Sequence, residues 1–119
     1  MKIVYVAHPI SGDIESNLAK IIGIIREINI NEPDTIPFAH YWVDCHALDD
    51  RVLEERNRGI KNDHEFFKRK IFDELRLYGD RISYGMSEEM GLAKKYGIPI
   101  KPMTENIKSQ LGGAQEQDY

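Results

Sequence analysis

The stretch "GMSEEMGLAKKYGIP", residues 85–99, carries two adjacent carboxylates, Glu88 and Glu89, at the start of what reads as a helix feeding a strand. A carboxylate can act as a base, an acid or a nucleophile towards an electrophilic carbon. The two are not equivalent. At about 100° per residue, Met86, Met90 and Ala93 cluster within about 60° on one side of the helix, with Leu92 and Tyr96 extending the apolar arc. Glu89 falls inside that arc, between Tyr96 and Ala93. Glu88 falls outside it, close to Lys95, as a solvated carboxylate near a helix N-terminus does. Ala93 stands four residues after Glu89, so a helix-surface ion pair is not available to it. An inward carboxylate is costly unless it is paired or used. It either caps backbone donors, pairs with an arginine from the middle of the chain, or does chemistry.

Other residues with chemical capacity lie in three separate places. Ser11, Gly12 and Asp13 form a short polar loop, with Asn17 in the turn that follows; backbone donors there suit a phosphate or ribose hydroxyls, and Asp13 equally suits a helix cap. His40, Tyr41 and Trp42 offer rings that can stack on a base or pack beneath a neighbouring segment. Arg81 and Ser83 precede the helix of Glu89; Arg81 suits a phosphate and Ser83 an N-cap. "DCH" at 44–46 lacks a paired Cys-x-x-Cys or His-x-x-x-His, so no metal site is expected. No dinucleotide fingerprint or Walker loop is present, and no cofactor is expected.

The elements that position these residues follow from apolar patterning. "KIVYVA" (2–7) reads as a buried parallel strand. Leu18, Ile21, Ile22, Ile25 and Ile28 recur at helical spacing over about 15 residues, with Asp13 as cap. "TIPFA" (35–39) is a second strand, placed at a sheet edge by Pro37. Residues 40–62 read as irregular. "DHEFFKRKIFDEL" (63–75) starts as a helix with Phe66, Phe67 and Ile71 inward and passes near Asp73 into the strand "ELRLY". "IPIKP" (98–102) is the last strand. Strands alternating with helices predict an α/β fold: a small doubly wound parallel sheet of four to five strands flanked by helices, Rossmann- or flavodoxin-like. The expected domain is residues 1–103, with 104–119 as a polar tail, mobile or docked elsewhere. In such sheets ligands sit beyond the carboxyl ends of the strands. That rule brings the loops 8–13, 40–44 and 79–85 to one crevice.

The chain has 119 residues, room for one domain. Its net charge of −4 argues against a nucleic-acid polymer as partner. The single cysteine, Cys45, excludes an internal disulfide and fits a reducing compartment. No apolar run approaches the roughly 20 residues of a membrane span, and "MKIVYVAHP" does not read as a signal peptide. A cytoplasmic protein without a membrane partner is the expectation.

"IVYVAHP" resembles the opening of the nucleoside 2-deoxyribosyltransferase-like superfamily, and "GMSEEMGLAKKYGIPI" resembles its later motif, Glu-x-Gly-x-Ala followed by Gly-x-Pro before the last strand. "DELRLYGDRISYGMSEEM" is similar to a branch of small phage-borne and bacterial relatives. The resemblance covers about residues 2–102. It implies cleavage of an N-glycosidic bond, or exchange of the base, in a (deoxy)nucleoside or 5′-nucleotide, with Glu89 as nucleophile. It implies that Asp73 assists at the base, with Asp80 as the nearer alternative. Tyr5, His8, Ser11, Gly12, Asp13, Asn17, His40, Arg81, Ser83, Gly85 and Met86 then become substrate-binding candidates, and a homo-oligomer is implied. Two features depart from the family: His8 stands where glycine is usual, and Arg76 interrupts the third strand. His8 would fill the space of the glycine or reach a phosphate. Arg76 implies an edge position or an inward charge with a partner. The rival reading is a module that binds a nucleotide-derived ligand without cleaving it, as a sensor or sequestering protein. A purely structural, partner-binding domain ranks last, because it leaves an inward Glu89 unexplained.

Overall fold

The computed structural model describes residues 1–117. The order of elements is β1 (Lys2–Ala7), α1 (Ile14–Asn31), β2 (Thr35–Phe38), α2 (His40–Ala47), α3 (Leu53–Lys68), β3 (Glu74–Leu77), α4 (Tyr84–Tyr96), β4 (Ile100–Pro102) and α5 (Glu105–Gln117). The four strands form one parallel sheet in the order β2-β1-β3-β4, so the fold is α/β and flavodoxin-like in strand order. β2, with Pro37, is an edge strand as its sequence predicts. β3 is interior, so Arg76 is not an edge residue.

The two-residue period of β1 sorts its side chains by face. Tyr5 and Ala7 enter the larger core with Phe67, Phe72, Leu75, Leu77, Met86 and Ile107. Val4 and Val6 face the other way, against Ile28 of α1. Register carries the same division into β3, because Tyr5 pairs with Leu75 while Val4 pairs with Glu74 and Val6 with Arg76.

α1 runs 18 residues from its Asp13 cap, which accepts from the Ser16 N–H. Ile22 lies on its exposed side, not in the core. The segment 40–62 is not irregular: it contains α2 and most of α3. Neither helix has a side-chain N-cap, and α2 buries none of its residues. Trp42 Nε1 donates to the Leu18 carbonyl and ties α2 to α1. α3 starts ten residues before Asp63, where the expected helix began, and ends at Lys68. Glu105–Gln117 is helical and Ile107 is fully buried; residues 118–119 lie outside the described part. No helix among the described residues is long and apolar enough to cross a membrane.

Candidate functional site

Two neighbouring groups of side chains stand out, and most of the sequence candidates belong to one or the other. The first lies on the α3/α4 face of the sheet. Ser83 caps α4, accepting from the Met86 N–H, and Glu89 follows in its second turn. Met86 is buried in the core and anchors that turn, so it is a packing residue and not a ligand-facing one. Glu89 points inward, as its helical angle predicts. Its carboxyl meets the Tyr5 hydroxyl from the middle of β1. The same hydroxyl lies 2.6 Å from Asp63 Oδ2, on α3. The Asp63 and Glu89 carboxyls thus meet at one phenol oxygen.

This arrangement fixes a proton count. A phenol has one hydrogen and can donate to only one of two carboxyls. Two buried carboxylates with no countercharge repel each other strongly, so one of them holds a proton. None of the ion pairs among the described residues involves Asp63 or Glu89. Burial first, and then the Asp63 charge, push the Glu89 carboxyl well above its ordinary value. Burial also raises Asp63, against the bonds from Tyr5 and Glu89. Burial and both carboxyls push the Tyr5 phenol up, so it stays a donor. Asp63 Oδ1 is completely enclosed and has no hydrogen-bond partner. Tyr41 closes one side: its hydroxyl donates at 2.6 Å to the Val6 carbonyl, which β2 leaves free because it ends opposite Tyr5. His40 begins α2, 3.4 Å from Asp44 and edge-on to Phe66.

The second group is a crevice of about 280 Å³ beyond the carboxyl ends of β1 and β3, where the topology places it. It is lined by His8, Ser11, Gly12, Asp13, Asn17 and Arg81, all expected as binding residues, by Asp80, named as the alternative to Asp73, and by Lys20 and Gly79. Asn17 Nδ2 donates to the Ile10 carbonyl and shapes the loop. Arg81 donates to the Ser11 carbonyl, closing the crevice across its mouth. Gly79 is required here. Its φ is +95°, and a Cβ on it would lie 2.6 Å from Pro9 Cδ. The crevice loop is held from behind by α5 and the residue before it. The Thr104 hydroxyl donates to the Gly79 carbonyl at 2.7 Å, and Gln110 Oε1 accepts from the Ile82 N–H at 3.0 Å.

Three candidates are not brought to either group. His40 is absent from the crevice lining, so residues 40–44 do not join the loops 8–13 and 79–85 there. Gly85 lies on the exposed first turn of α4 with open space beside it. Asp73 sits before β3, at the amino end of the sheet, where its carboxylate accepts from the Ile3 N–H at 2.7 Å and its own N–H donates back to the Ile3 carbonyl. Its role is to join β1 to β3. The carboxyl beside Glu89 is instead Asp63, which the sequence reading did not single out. Its spacing was the available signal: Asp63 is three and four residues before the inward Phe66 and Phe67, so it shares their side of the helix. Arg76 is an inward charge, paired with Glu74 and Glu32 on the opposite face of the sheet.

Among the described residues no three His, Cys, Asp or Glu side chains are grouped to hold a metal ion. No curated protein and no solved structure matches the chain. A family model does match, over residues 2–103, and that span includes both groups of side chains. The chain belongs to the family described as a domain of unknown function, DUF7768.

Proposed function

We propose that this protein breaks the N-glycosidic bond of a (deoxy)nucleoside or 5′-nucleotide through a covalent intermediate on Glu89, passing the sugar to water or to a second base. It acts in the cytoplasm, as a homo-oligomer, on a small soluble substrate, and needs no cofactor. The observation that carries this reading is the Tyr5–Asp63–Glu89 cluster: two carboxyls that meet at one buried phenol, with no ion-paired cation among the described residues.

The single proton suits the chemistry. With the proton on Asp63, Glu89 is a carboxylate steadied by the Tyr5 O–H. A Glu89 oxygen attacks C1′ as the C1′–N bond breaks. The bonding pair leaves with the base, whose nitrogen takes the proton from Asp63. In the second half, water or a second base attacks C1′ and gives its proton to Asp63, and the C1′–Glu89 bond breaks. Asp63 thus replaces Asp73 as the acid. The logic is that of a retaining glycosidase, with one carboxyl as nucleophile and the other exchanging a proton. Burial raises both carboxyls and the pair titrates as a unit that carries one proton; positive charge developing on the sugar favours the arrangement with Glu89 ionised and the proton on Asp63.

A second reading is a non-catalytic sensor or sequestering protein for a nucleotide-derived ligand. One observation favours it: the crevice lining contains neither Glu89 nor Asp63. A single experiment separates the two. Ribo- and deoxynucleosides and their 5′-monophosphates are incubated with wild type, Glu89→Ala and Asp63→Asn, with and without a second free base, and the products are chromatographed. Release or exchange that disappears in Glu89→Ala and falls about 10²-fold or more in Asp63→Asn supports the enzyme. Intact ligand recovered after tight binding supports the second reading.

A further inference from the structure

His8 is the feature of the crevice that the chemistry at Glu89 does not use. It is only 8% exposed and stands at the end of β1, facing the space between the 8–13 and 79–83 loops. Its Nδ1 lies 2.6 Å from the Pro9 carbonyl oxygen. A carbonyl oxygen only accepts, so Nδ1 carries the hydrogen. The Cδ2 edge packs toward Gly79. Nε2 has no hydrogen-bond partner. It is also not enclosed, because among the described residues the only fully enclosed side-chain atom without a partner is Asp63 Oδ1. Nε2 is therefore the ring atom left for a ligand.

The protonation of the ring decides what that ligand is. Burial lowers the His8 value; the bond to Pro9 and the Asp80 charge from the 79–83 loop act against it, while Lys20 from α1 and Arg81 from that loop lower it further. The ring is neutral at neutral pH, with its one hydrogen already given to Pro9. Nε2 then offers a lone pair and no hydrogen. A phosphate oxygen placed there would meet lone pair against lone pair. A hydroxyl would donate to it. The lining charges point the same way: Lys20 and Arg81 are balanced by Asp13 and Asp80, and Arg81 is already committed to Ser11 and Asp80.

We propose that the crevice is a subsite for an uncharged sugar or polyol hydroxyl, with His8 Nε2 as the fixed acceptor that selects a hydroxyl over a phosphate at that position. This deepens the reading above, since it names the end of the substrate that enters the crevice.

The test reads binding and not turnover. The imidazole nitrogens of protein carrying ¹⁵N-histidine are followed by NMR at pH 8 during titration with 2-deoxyribose, 2-deoxyribose 5-phosphate and inorganic phosphate. The free protein should show His8 protonated on Nδ1 and bare on Nε2. 2-Deoxyribose should move the Nε2 signal and bind at least about tenfold tighter than inorganic phosphate, and 2-deoxyribose 5-phosphate should move it as the free sugar does, through a hydroxyl. His8→Phe keeps a ring without the acceptor and should lose about tenfold in 2-deoxyribose binding, the effect of one lost hydrogen bond. A hydrogen on Nε2 in the free protein, tighter binding of inorganic phosphate than of 2-deoxyribose, or a His8 signal that none of the three moves would each overturn the proposal, and none of these readings depends on the variant folding. Base release plays no part in them, so failure of the enzyme reading and failure of this one are separate results.

Discussion

The sheet carries a carboxyl group on each face, buried at Glu74 and half-buried at Glu89, and the two faces handle that cost in opposite ways. On the α1 side Glu74 is surrounded by cations: Arg76 at 2.9 Å, Lys2 at 3.0 Å and Lys101 at 2.8 Å, with Glu32 completing the far side of Arg76. Burial alone would raise Glu74, but the bonds from Lys101, Lys2 and Arg76 outweigh it and hold the carboxyl at about 2. On the α3/α4 side Glu89 has another acid and two tyrosines, and its value is driven up. The first arrangement makes a permanent ion that pins strands and the end of α1 together. The second makes a group whose protonation can change during a reaction. Burial is common to both, so what distinguishes a structural carboxyl from a candidate nucleophile is its neighbours.

Removing a cation should break the contrast most. Arg76→Met leaves Glu74 and Glu32 without their shared guanidinium in a buried setting and should cost about 3–5 kcal/mol in urea unfolding. A cost below about 1 kcal/mol would show that Lys2 and Lys101 suffice. The acid limb is the next largest effect. Glu74 is depressed in the folded state, so its contribution is complete above the unfolded value near 4.5 and is lost as pH falls through about 2. That loss amounts to about 3 kcal/mol, and Glu74→Gln should flatten this part of the stability profile.

Asp73→Ala removes one strand-joining hydrogen bond and should cost about 1 kcal/mol while leaving base release unchanged. A large loss of activity without loss of stability would return Asp73 to the chemistry. A change at Glu89 sharpens the other side of the comparison. Glu89 is raised in the folded state, so its ionisation opposes folding as pH climbs above the unfolded value. Glu89→Gln cannot ionise. Its urea midpoint should match wild type near pH 4 and exceed it at pH 8. A lower midpoint at pH 8 would mean that the glutamate is held as a stable ion after all.

Much of this was legible in the sequence for a physical reason. Strands buried on both faces read as short apolar runs, and "KIVYVA" could be little else. Glu89 was legible because a helix has a fixed angle per residue, and one polar residue inside an apolar arc is conspicuous. α2 and the first half of α3 were not legible. Their residues are mostly exposed, so burial left no periodic mark, and no side-chain cap announced either start. Asp63 lay beside that unread segment and was missed with it. Asp73 attracted attention because it adjoins a strand, but it adjoins the amino end, away from the crevice.

The bonds from Thr104 and Gln110 to the 79–83 loop bear on motion as well as on shape. They join segments 25 and 28 residues apart in the chain, over an anchor of one fully buried side chain, Ile107. Neither segment can open to solvent without releasing the other. Amide hydrogens of the loop and of the first turns of α5 should therefore exchange as a single cooperative unit with a common opening free energy, below that of the sheet. The lifetime of the crevice wall is then set by the last helix of the chain, a segment that lies beyond residue 103, where the family match ends.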